Sequence, residues 1–254
     1  SVAAALCSRF FKVGIDPEHK GSMAAASRRR CASCVLALCW LSGTGAAAEL
    51  SGAITATSEY IYRGLAVSDG DPALQFELDV EFGSGFFGGL WASTVDIESP
   101  FSRRDRELDV YLGYHFEPAE RIGVTGTLLR YTYPGQRGFD YDYTEGLVAV
   151  TLDGRYSLEF GYSDDLYGRG GTGRHWELRA DRPLASAWVL SAGVGRNDLT
   201  DYGGERYLHG DVGASARLGR LLVDLRWHAS EPAGSGIGGA SAGSRLVVSL
   251  SGVF

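Results

Sequence analysis

Apolar and polar residues alternate along most of the chain after residue 50. The clearest case is residues 73–82, where Leu74 and Phe76 fall on one face while Gln75 and Glu77 fall on the other. The same period of two recurs at residues 107–116, 155–163 and 221–229. Successive side chains of a strand point to opposite faces, so the pattern predicts strands with one apolar face. No helical apolar period of any length accompanies it.

The connections between the predicted strands alternate between short and long. From Leu50 onward we count twelve segments of about ten residues, the length that crosses a bilayer as a tilted strand. The predicted short connections are residues 83–85, 117–120, 153–154, 183–186 and 218–220. The predicted long ones are residues 64–71, 96–106, 134–141, 164–174, 197–205 and 229–243. We therefore predict a transmembrane antiparallel up-and-down β-barrel of about 12 strands, with counts of 10 to 14 left open.

The segment from Met23 to Ala48 has the features of a cleaved signal peptide. Arg28–Arg30 form a positive region, Cys31–Leu41 a short apolar core, and Ala46–Ala48 a cleavage site of small residues. We predict a Sec-type signal over residues 23–48 and an outer-membrane barrel over residues 49–254. A buried N-terminal helix is the alternative.

Residues 1–22 precede this signal, and we interpret them as a disordered upstream extension from a mis-assigned start. A genuine extension is the alternative. All four cysteines and both lysines lie before residue 49. From Glu49 onward, 29 Asp and Glu face 18 Arg, an acidity that argues against nucleic acid as a partner. The 36 Gly and 13 Tyr are typical of barrels in an outer membrane.

The chain ends on an amphipathic segment with an aromatic last residue, Phe254. Apolar or small residues occupy alternate positions back from Phe254. Such a last strand is the pattern that barrel-assembly machinery is thought to read, so we expect Phe254 to act as an assembly signal and that machinery, with outer-membrane lipid, to be a partner. The last strand of a soluble sheet is the alternative. Together with the signal peptide, the pattern favours the outer membrane of a Gram-negative bacterium.

Residues 58–94 carry a family resemblance. The matching features are Tyr60, Tyr62-Arg63-Gly64, Ser68-Asp69, Asp71-Pro72-Ala73, Gly85-Phe86 and the later Gly89, Trp91 and Ser93. The sequence resembles the TorF-type porin family, also known as conserved hypothetical proteins of the Gcw type. The resemblance implies an outer-membrane barrel with a porin role, and it implies no catalytic residue.

Charged residues on the polar faces are the candidate lumen-lining residues. The basic candidates are Arg63, Arg130, Arg155, Arg179, Arg217, Arg226 and Arg245. The acidic candidates are Glu59, Glu77, Asp79, Glu81, Glu107, Asp109, Glu159, Glu177, Asp181, Asp211 and Asp224. Rings of charge set ion selectivity in a water-filled pore, and the acidic excess favours cations. Alternatively, the same residues pair to form a polar core in a barrel too narrow to conduct.

Aromatic residues near the predicted strand ends suggest interfacial girdles, with a sugar-binding stack as the alternative. They are Tyr60, Tyr62, Trp91, Tyr114, Tyr131, Tyr133, Tyr143, Tyr162, Trp176, Trp188 and Trp227.

No nucleophile motif surrounds any serine, and neither HExxH nor a Cys/His cluster occurs. We therefore predict no enzyme, no cofactor and no metal. Calcium binding by Asp140, Asp142 and Glu145, or by Asp164-Asp165, is a weaker alternative to solvated loop acids. Passive diffusion of small solutes or ions through a narrow charged lumen is the leading prediction. A non-conducting structural or surface-interaction barrel comes second, and an outer-membrane hydrolase third.

Overall fold

The computed structural model describes residues 48–99, 102–184, 187–202, 206–232 and 242–254. The predicted upstream extension and nearly all of the predicted signal peptide lie outside the described residues, and the first strand begins at Ala48. The strands are β1 (Ala48–Thr57), β2 (Ile61–Tyr62), β3 (Leu65–Ala66), β4 (Ala73–Phe82), β5 (Phe86–Ser99), β6 (Ser102–Ala119), β7 (Ile122–Thr132), β8 (Tyr143–Leu152), β9 (Tyr156–Leu166), β10 (Gly171–Pro183), β11 (Trp188–Asp198), β12 (Arg206–Leu218), β13 (Leu221–Ser230) and β14 (Ser244–Val253). A 3-10 turn, Thr200–Tyr202, follows β11.

Twelve of these strands, β1 and β4–β14, close into one antiparallel barrel, which confirms the predicted fold and strand count. Each barrel strand pairs with its neighbour in sequence, and β1 closes the ring against β14, where Ala53 lies opposite Val253. Closure pairs the backbone groups of every strand and leaves no sheet edge. Within the described residues, no helix is long and apolar enough to span a bilayer.

The alternation predicted from the sequence sets the two faces of the wall. On β4, Leu74 and Phe76 face outward and are exposed, whereas Glu77 and Asp79 face inward and are buried. The same arrangement continues on β13, where Leu225 and Trp227 lie outside. An apolar exterior around a polar interior is the arrangement expected of a barrel in lipid.

The connections alternate in length around the barrel, and we call the two rims the turn end and the loop end. β1 begins and β14 ends at the turn end. Two predicted loops are shorter than expected: β5 and β6 reach Ser99 and Ser102, and β9 and β10 reach Leu166 and Gly171. These stretches are polar, so the sequence pattern predicted loops, but they continue as paired strands. Near the loop end a strand can stay paired without an apolar outward face.

The first connection at the loop end folds into the barrel. Its short ribbon, β2 and β3, turns through Arg63 and Gly64, which have φ angles of 48° and 80°. Leu65 and Val67 are almost completely buried and pack in a cluster with inward side chains of the wall. We call residues 58–72 the inward loop.

Candidate functional site

The structure places most of the predicted lumen residues at inward-facing positions of the wall. Those on strands are Glu77, Asp79, Glu81, Glu107, Asp109, Glu159, Glu177, Arg179, Asp181, Asp211, Arg217, Asp224, Arg226 and Arg245. Arg63 and Glu59 reach the interior from the inward loop. Whether these residues line an open pore remains a prediction.

Two of the predicted lumen residues lie elsewhere. Arg130 is on the outward face of β7, because its neighbours Leu129 and Tyr131 take the inward positions. Its guanidinium donates to Thr144 Oγ1 at 3.3 Å on the outer surface. Arg155 is exposed in the turn between β8 and β9 at the turn end. The prediction that these two residues line the lumen was wrong. The inward positions beside Arg130 on β7 are taken by Leu129 and Tyr131, and Arg155 precedes β9, which begins at Tyr156.

Five inward carboxylates form what we call the acidic wall: Glu77, Asp79 and Glu81 on β4, and Glu107 and Asp109 on β6. All of them except Glu81 are buried. Asp79 accepts a hydrogen bond from Tyr111, and Glu107 accepts one from Tyr133 at 3.4 Å. Several buried carboxylates on neighbouring strands favour positive charge beside them, and the buried Arg104 of β6 supplies one such charge next to Glu107.

The facing side of the barrel carries an ion-pair wall made by Glu177 and Arg179 on β10, Asp211 on β12, and Asp224 and Arg226 on β13. Arg179 Nη2 lies 2.8 Å from Asp211 Oδ2 and 3.1 Å from Glu177 Oε1. Arg226 also bonds Asp211, and its Nη2 lies 3.0 Å from Asp224 Oδ2. In the ring of twelve strands, β10 stands six strands from β4. The acidic wall and the ion-pair wall therefore face each other across the lumen.

Glycines on β11 allow the ion-pair wall to form. Gly193 lies in register between Arg179 and Asp211. A Cβ on Gly193 would stand 2.8 Å from Asp211 Oδ2 and 2.9 Å from Arg179 Nη2. The absence of a side chain thus lets residues two strands apart meet across β11.

Aromatic and apolar side chains surround the inward loop toward the loop end. Tyr60 packs on Trp91 with ring centroids 5.2 Å apart, and Tyr62 meets Tyr131 edge to face at 6.0 Å. The hydroxyls of Tyr62 and Tyr131 are 2.9 Å apart. Tyr143 stacks on Tyr131 with centroids 4.3 Å apart. This half of the interior is packed like a protein core.

The inward loop is also tied to the wall by polar contacts on two sides. Arg63 Nη2 donates to Glu145 Oε2 of β8 at 2.8 Å. On the other side, Ser230 Oγ of β13 donates to the Gly64 carbonyl at 2.7 Å. Because a Cβ on Gly64 would stand 2.5 Å from the Cβ of His209 on β12, only glycine fits there. The loop therefore crosses the lumen rather than lying along one side.

These contacts correct the predicted aromatic girdles. Six of the aromatic residues are inside the barrel and mostly buried: Tyr60, Tyr62, Trp91, Tyr131, Tyr133 and Tyr143. The other five are exposed on the outer surface, where the girdle interpretation still applies: Tyr114, Tyr162, Trp176, Trp188 and Trp227. The sequence missed the difference because a tyrosine near a strand end has the same pattern whichever face it occupies.

The predicted calcium ligands are not brought together. Glu145 faces the lumen and holds Arg63, whereas Asp140 and Asp142 lie in the loop after β7. The backbone N–H of Asp142 donates to Asp140 and lowers the pKa of that carboxyl below its usual value.

One group of possible metal ligands does occur among the described residues. Its members are His175, Glu177 and His209, whose ligand atoms all lie within 4.8 Å of one another. They are 34 residues apart in sequence at the widest, so only the pairing of β10 with β11 and of β11 with β12 brings them together.

The closed barrel with a crossed, charged lumen is of the general porin type in its fold. The chain belongs to the Gcw_chp family, described as bacterial proteins of unknown function, which matches residues 42–233. This confirms the Gcw part of the resemblance noted above, and the TorF-type label remains a prediction. No curated protein sequence matches the chain.

Several solved structures share this fold. The KdgM porin has a TM-score of 0.53 at 10% identity, covering 80% of this chain and 99% of KdgM. The NanC porin has a TM-score of 0.53 at 12% identity, covering 81% of this chain and 98% of NanC. The COG4313 outer membrane channel from Pseudomonas putida F1 has a TM-score of 0.51 at 12% identity, covering 84% and 97%. At these identities, the similarity shows the fold.

Proposed function

We propose that the protein is an outer-membrane channel of porin type that passes small solutes or ions through a narrow, charged lumen. The observation that carries this proposal is the pair of charged walls facing each other inside a closed barrel with an apolar exterior. Solved barrels of the same fold are porins and an outer-membrane channel, which supports the same conclusion.

The charge of the lumen indicates the class of solute. Inward carboxylates outnumber inward guanidinium groups, since the predicted lumen residues that face inward comprise 11 acids and five arginines. The buried Arg104 on β6 and the buried Glu145 on β8 add one of each. A KdgM structure is described as a complex with oligogalacturonate, an acidic oligosaccharide. The acidic excess here disfavours a polyanion, so small cations or small solutes carrying a positive group are the proposed cargo.

Single-channel recording in planar bilayers tests this proposal. Folded protein, identified by its shifted mobility on unheated gels, should give discrete current steps. Under a KCl gradient the reversal potential should indicate preference for K⁺ over Cl⁻. Correctly folded protein that gives no current steps would contradict the channel, and preference for Cl⁻ would contradict the proposed cargo.

The second candidate is a non-conducting barrel, and the inward loop is the observation that favours it. Residues 58–72 cross the lumen and are tied to β8 and β13. If this half stays packed, the same recording gives no current for the intact protein but does give current once the loop is shortened. A protein silent in both forms would support a structural barrel.

We also propose that the barrel is assembled in the outer membrane from its C-terminal strand. Phe254 exchanges two backbone hydrogen bonds of 3.0 Å with Gly52, and its ring covers that glycine at the seam between β1 and β14. Phe254→Ala should lower the fraction of folded protein in outer-membrane fractions more than it lowers refolding of the purified chain in detergent. Equal losses in both would indicate a seam contact rather than an assembly signal.

A further inference from the structure

We propose that His175, Glu177 and His209 form a binding site for one first-row divalent transition metal ion, of which Zn²⁺ is the probe, inside the barrel wall next to the inward loop. The site does not depend on conduction, so it can hold or fail whatever the channel experiments give.

The two histidines are buried, and three of their four ring nitrogens lack a hydrogen-bond partner. His175 is 2% exposed and His209 is 8% exposed. Both ring nitrogens of His175, and Nε2 of His209, make no hydrogen bond. A buried polar group without a partner costs free energy, so such groups need a ligand, a water or an ion. One ring nitrogen from each histidine, together with the Glu177 carboxylate, can therefore serve a bound ion.

The geometry brings these donors to a common point. The rings of His175 and His209 stack at 6.5 Å between centroids with an interplanar angle of 16°. His175 Nε2 lies 3.9 Å from Glu177 Oε2, and all three ligand atoms lie within 4.8 Å of one another. Ligands of tetrahedral Zn²⁺ at 2.0–2.1 Å stand roughly 3.4 Å apart, so the side chains need to close by at most about 1.4 Å.

A glycine opens the space for the ion. Gly195 on β11 is in register with Glu177 on one side and His209 on the other. A Cβ on Gly195 would stand 2.3 Å from His209 Nε2. This repeats the arrangement at Gly193, two residues earlier, where Arg179 and Asp211 meet across β11. At Gly195 the residues that meet are metal ligands instead of an ion pair.

Charge around the site favours a cation. Glu159 on β9 lies directly opposite Glu177, and its Oε1 is 3.9 Å from His175 Nδ1. Like charges directly opposite on neighbouring strands destabilise a sheet. Arg63 and Arg179 also act on this site, but each is already paired with a carboxylate, Arg63 with Glu145 and Arg179 with Glu177. Two imidazoles with carboxylates suit Zn²⁺ and its neighbours rather than Ca²⁺ or Mg²⁺, which prefer oxygen ligands alone.

Titration of Zn²⁺ into folded, chelator-stripped protein in detergent tests the site. We expect one Zn²⁺ per barrel, and Co²⁺ in its place should give the strong visible absorption of four-coordinate cobalt. His175→Gln and His209→Gln should each weaken binding by on the order of 100-fold, and Glu177→Gln by roughly 10-fold. The mobility of each variant on unheated gels serves to check that it is folded.

Two further variants make the test specific. Gly195→Ala keeps every ligand but fills the space beside His209, so it should abolish binding. His115→Gln removes an inward histidine of β6, whose Nδ1 lies 2.9 Å from Thr125 Oγ1, and should leave binding unchanged. Absence of stoichiometric Zn²⁺ binding, or binding that survives both cluster histidine variants, would overturn the proposal. Equal loss in His115→Gln would do the same.

Discussion

The two halves of the barrel interior are built differently. Toward the loop end, the inward loop packs its Tyr60 and Leu65 among aromatic side chains of the wall, so this half resembles a protein core. Toward the middle and the turn end, Asp79 and Glu81 of the acidic wall face the ion-pair wall, and glycines such as Gly193 take the place of bulky side chains. The other side of the acidic wall reaches into the packed half, where Asp109 lies in register with Trp91. The interior of this twelve-stranded barrel thus has a packed half and a charged half.

In the channel proposed above, this difference separates two properties. Conduction depends on whether the packed half opens, since a loop tied to both β8 and β13 crosses the lumen there. Selectivity depends on the charged half, which any ion that enters must pass. Variants in the two halves should therefore change different measurements.

Shortening the inward loop should have the largest effect. Tyr60 and Val67 are already paired, because the Val67 N–H donates to the Tyr60 carbonyl at 2.9 Å. Residues 61–66 can thus be replaced by Asn-Gly, which favours a two-residue hairpin turn. Removing Arg63 and Leu65 in this way should raise single-channel conductance several-fold with little change in ion selectivity.

The matched control deletes Arg137 and Gly138, which are exposed in another connection at the loop end. This deletion also shortens a loop, but it removes nothing from the lumen, so conductance should stay that of the parent. Equal conductance in all three proteins would show that the packed half does not limit the current.

The ion pair that anchors the inward loop should give the next largest effect. The side chains of Arg63 and Glu145 are 13% and 2% exposed, and Glu145 also accepts from Tyr131 at 3.0 Å. Removing one member of a buried pair typically costs about 3–5 kcal/mol, because the other charge stays buried. Arg63→Ala and Glu145→Gln should each lower the free energy of unfolding in urea by that amount.

The double variant tests the coupling. It should be less destabilised than the sum of the single variants, since neither charge is then left alone. Conductance of Arg63→Ala should also become noisier, because the loop then loses its charged contact with β8. Additive losses of stability with steady current would mean that the pair does not hold the loop.

Sequence patterns predicted the wall better than its interior. Residues 73–82 were predicted as a strand and are β4 with the same bounds, because its outward face is apolar and its inward face is charged. Residues 85–96 and 142–152 are apolar on both faces, and the structure gives the reason. Inward Trp91 and Tyr143 contribute to the same buried cluster as the inward loop. Apolar residues on both faces of a predicted strand were therefore the sequence signal that part of the interior is packed.

The sites that depend on register were not predictable in this way. Arg130 was assigned to the lumen because it is charged, yet the position of Tyr131 puts it outside. His175 and His209 come together only because β11 lies between their strands and has Gly195 at the shared level. A single sequence gives the facing of a strand where the alternation is clear, as on β4, but it does not give the register between three strands.

Asp211→Asn should change selectivity by a smaller, measurable amount. Asp211 accepts from both Arg179 and Arg226, so losing its charge leaves the ion-pair wall more positive. The reversal potential under a KCl gradient should shift toward Cl⁻ while conductance changes little. Asp105→Asn, at an exposed position of β6 near the loop end, is the control and should give the parent potential. A shift of the same size in both would assign selectivity to the rim instead of the charged half.

The smallest effect is expected for the exposed ion pair at the turn end, Arg121 with Asp153, which serves as the baseline for the buried pair of the loop. Arg121 holds the pKa of Asp153 below its usual value by hydrogen bonding to it. A depressed carboxyl pKa contributes stability above the unfolded pKa of roughly 3.9, and the contribution is lost as pH falls through the folded pKa. Water screens this exposed pair, so Arg121→Gln should leave the urea midpoint of unfolding unchanged at pH 7. The urea midpoints of the variant and the parent should also stay equal as the pH is lowered. The bond between Arg63 and Glu145 is no shorter, so burial alone would account for its larger effect. A loss in Arg121→Gln equal to that in Arg63→Ala would mean that contact geometry, and not the packed half of the lumen, sets the strength of these pairs.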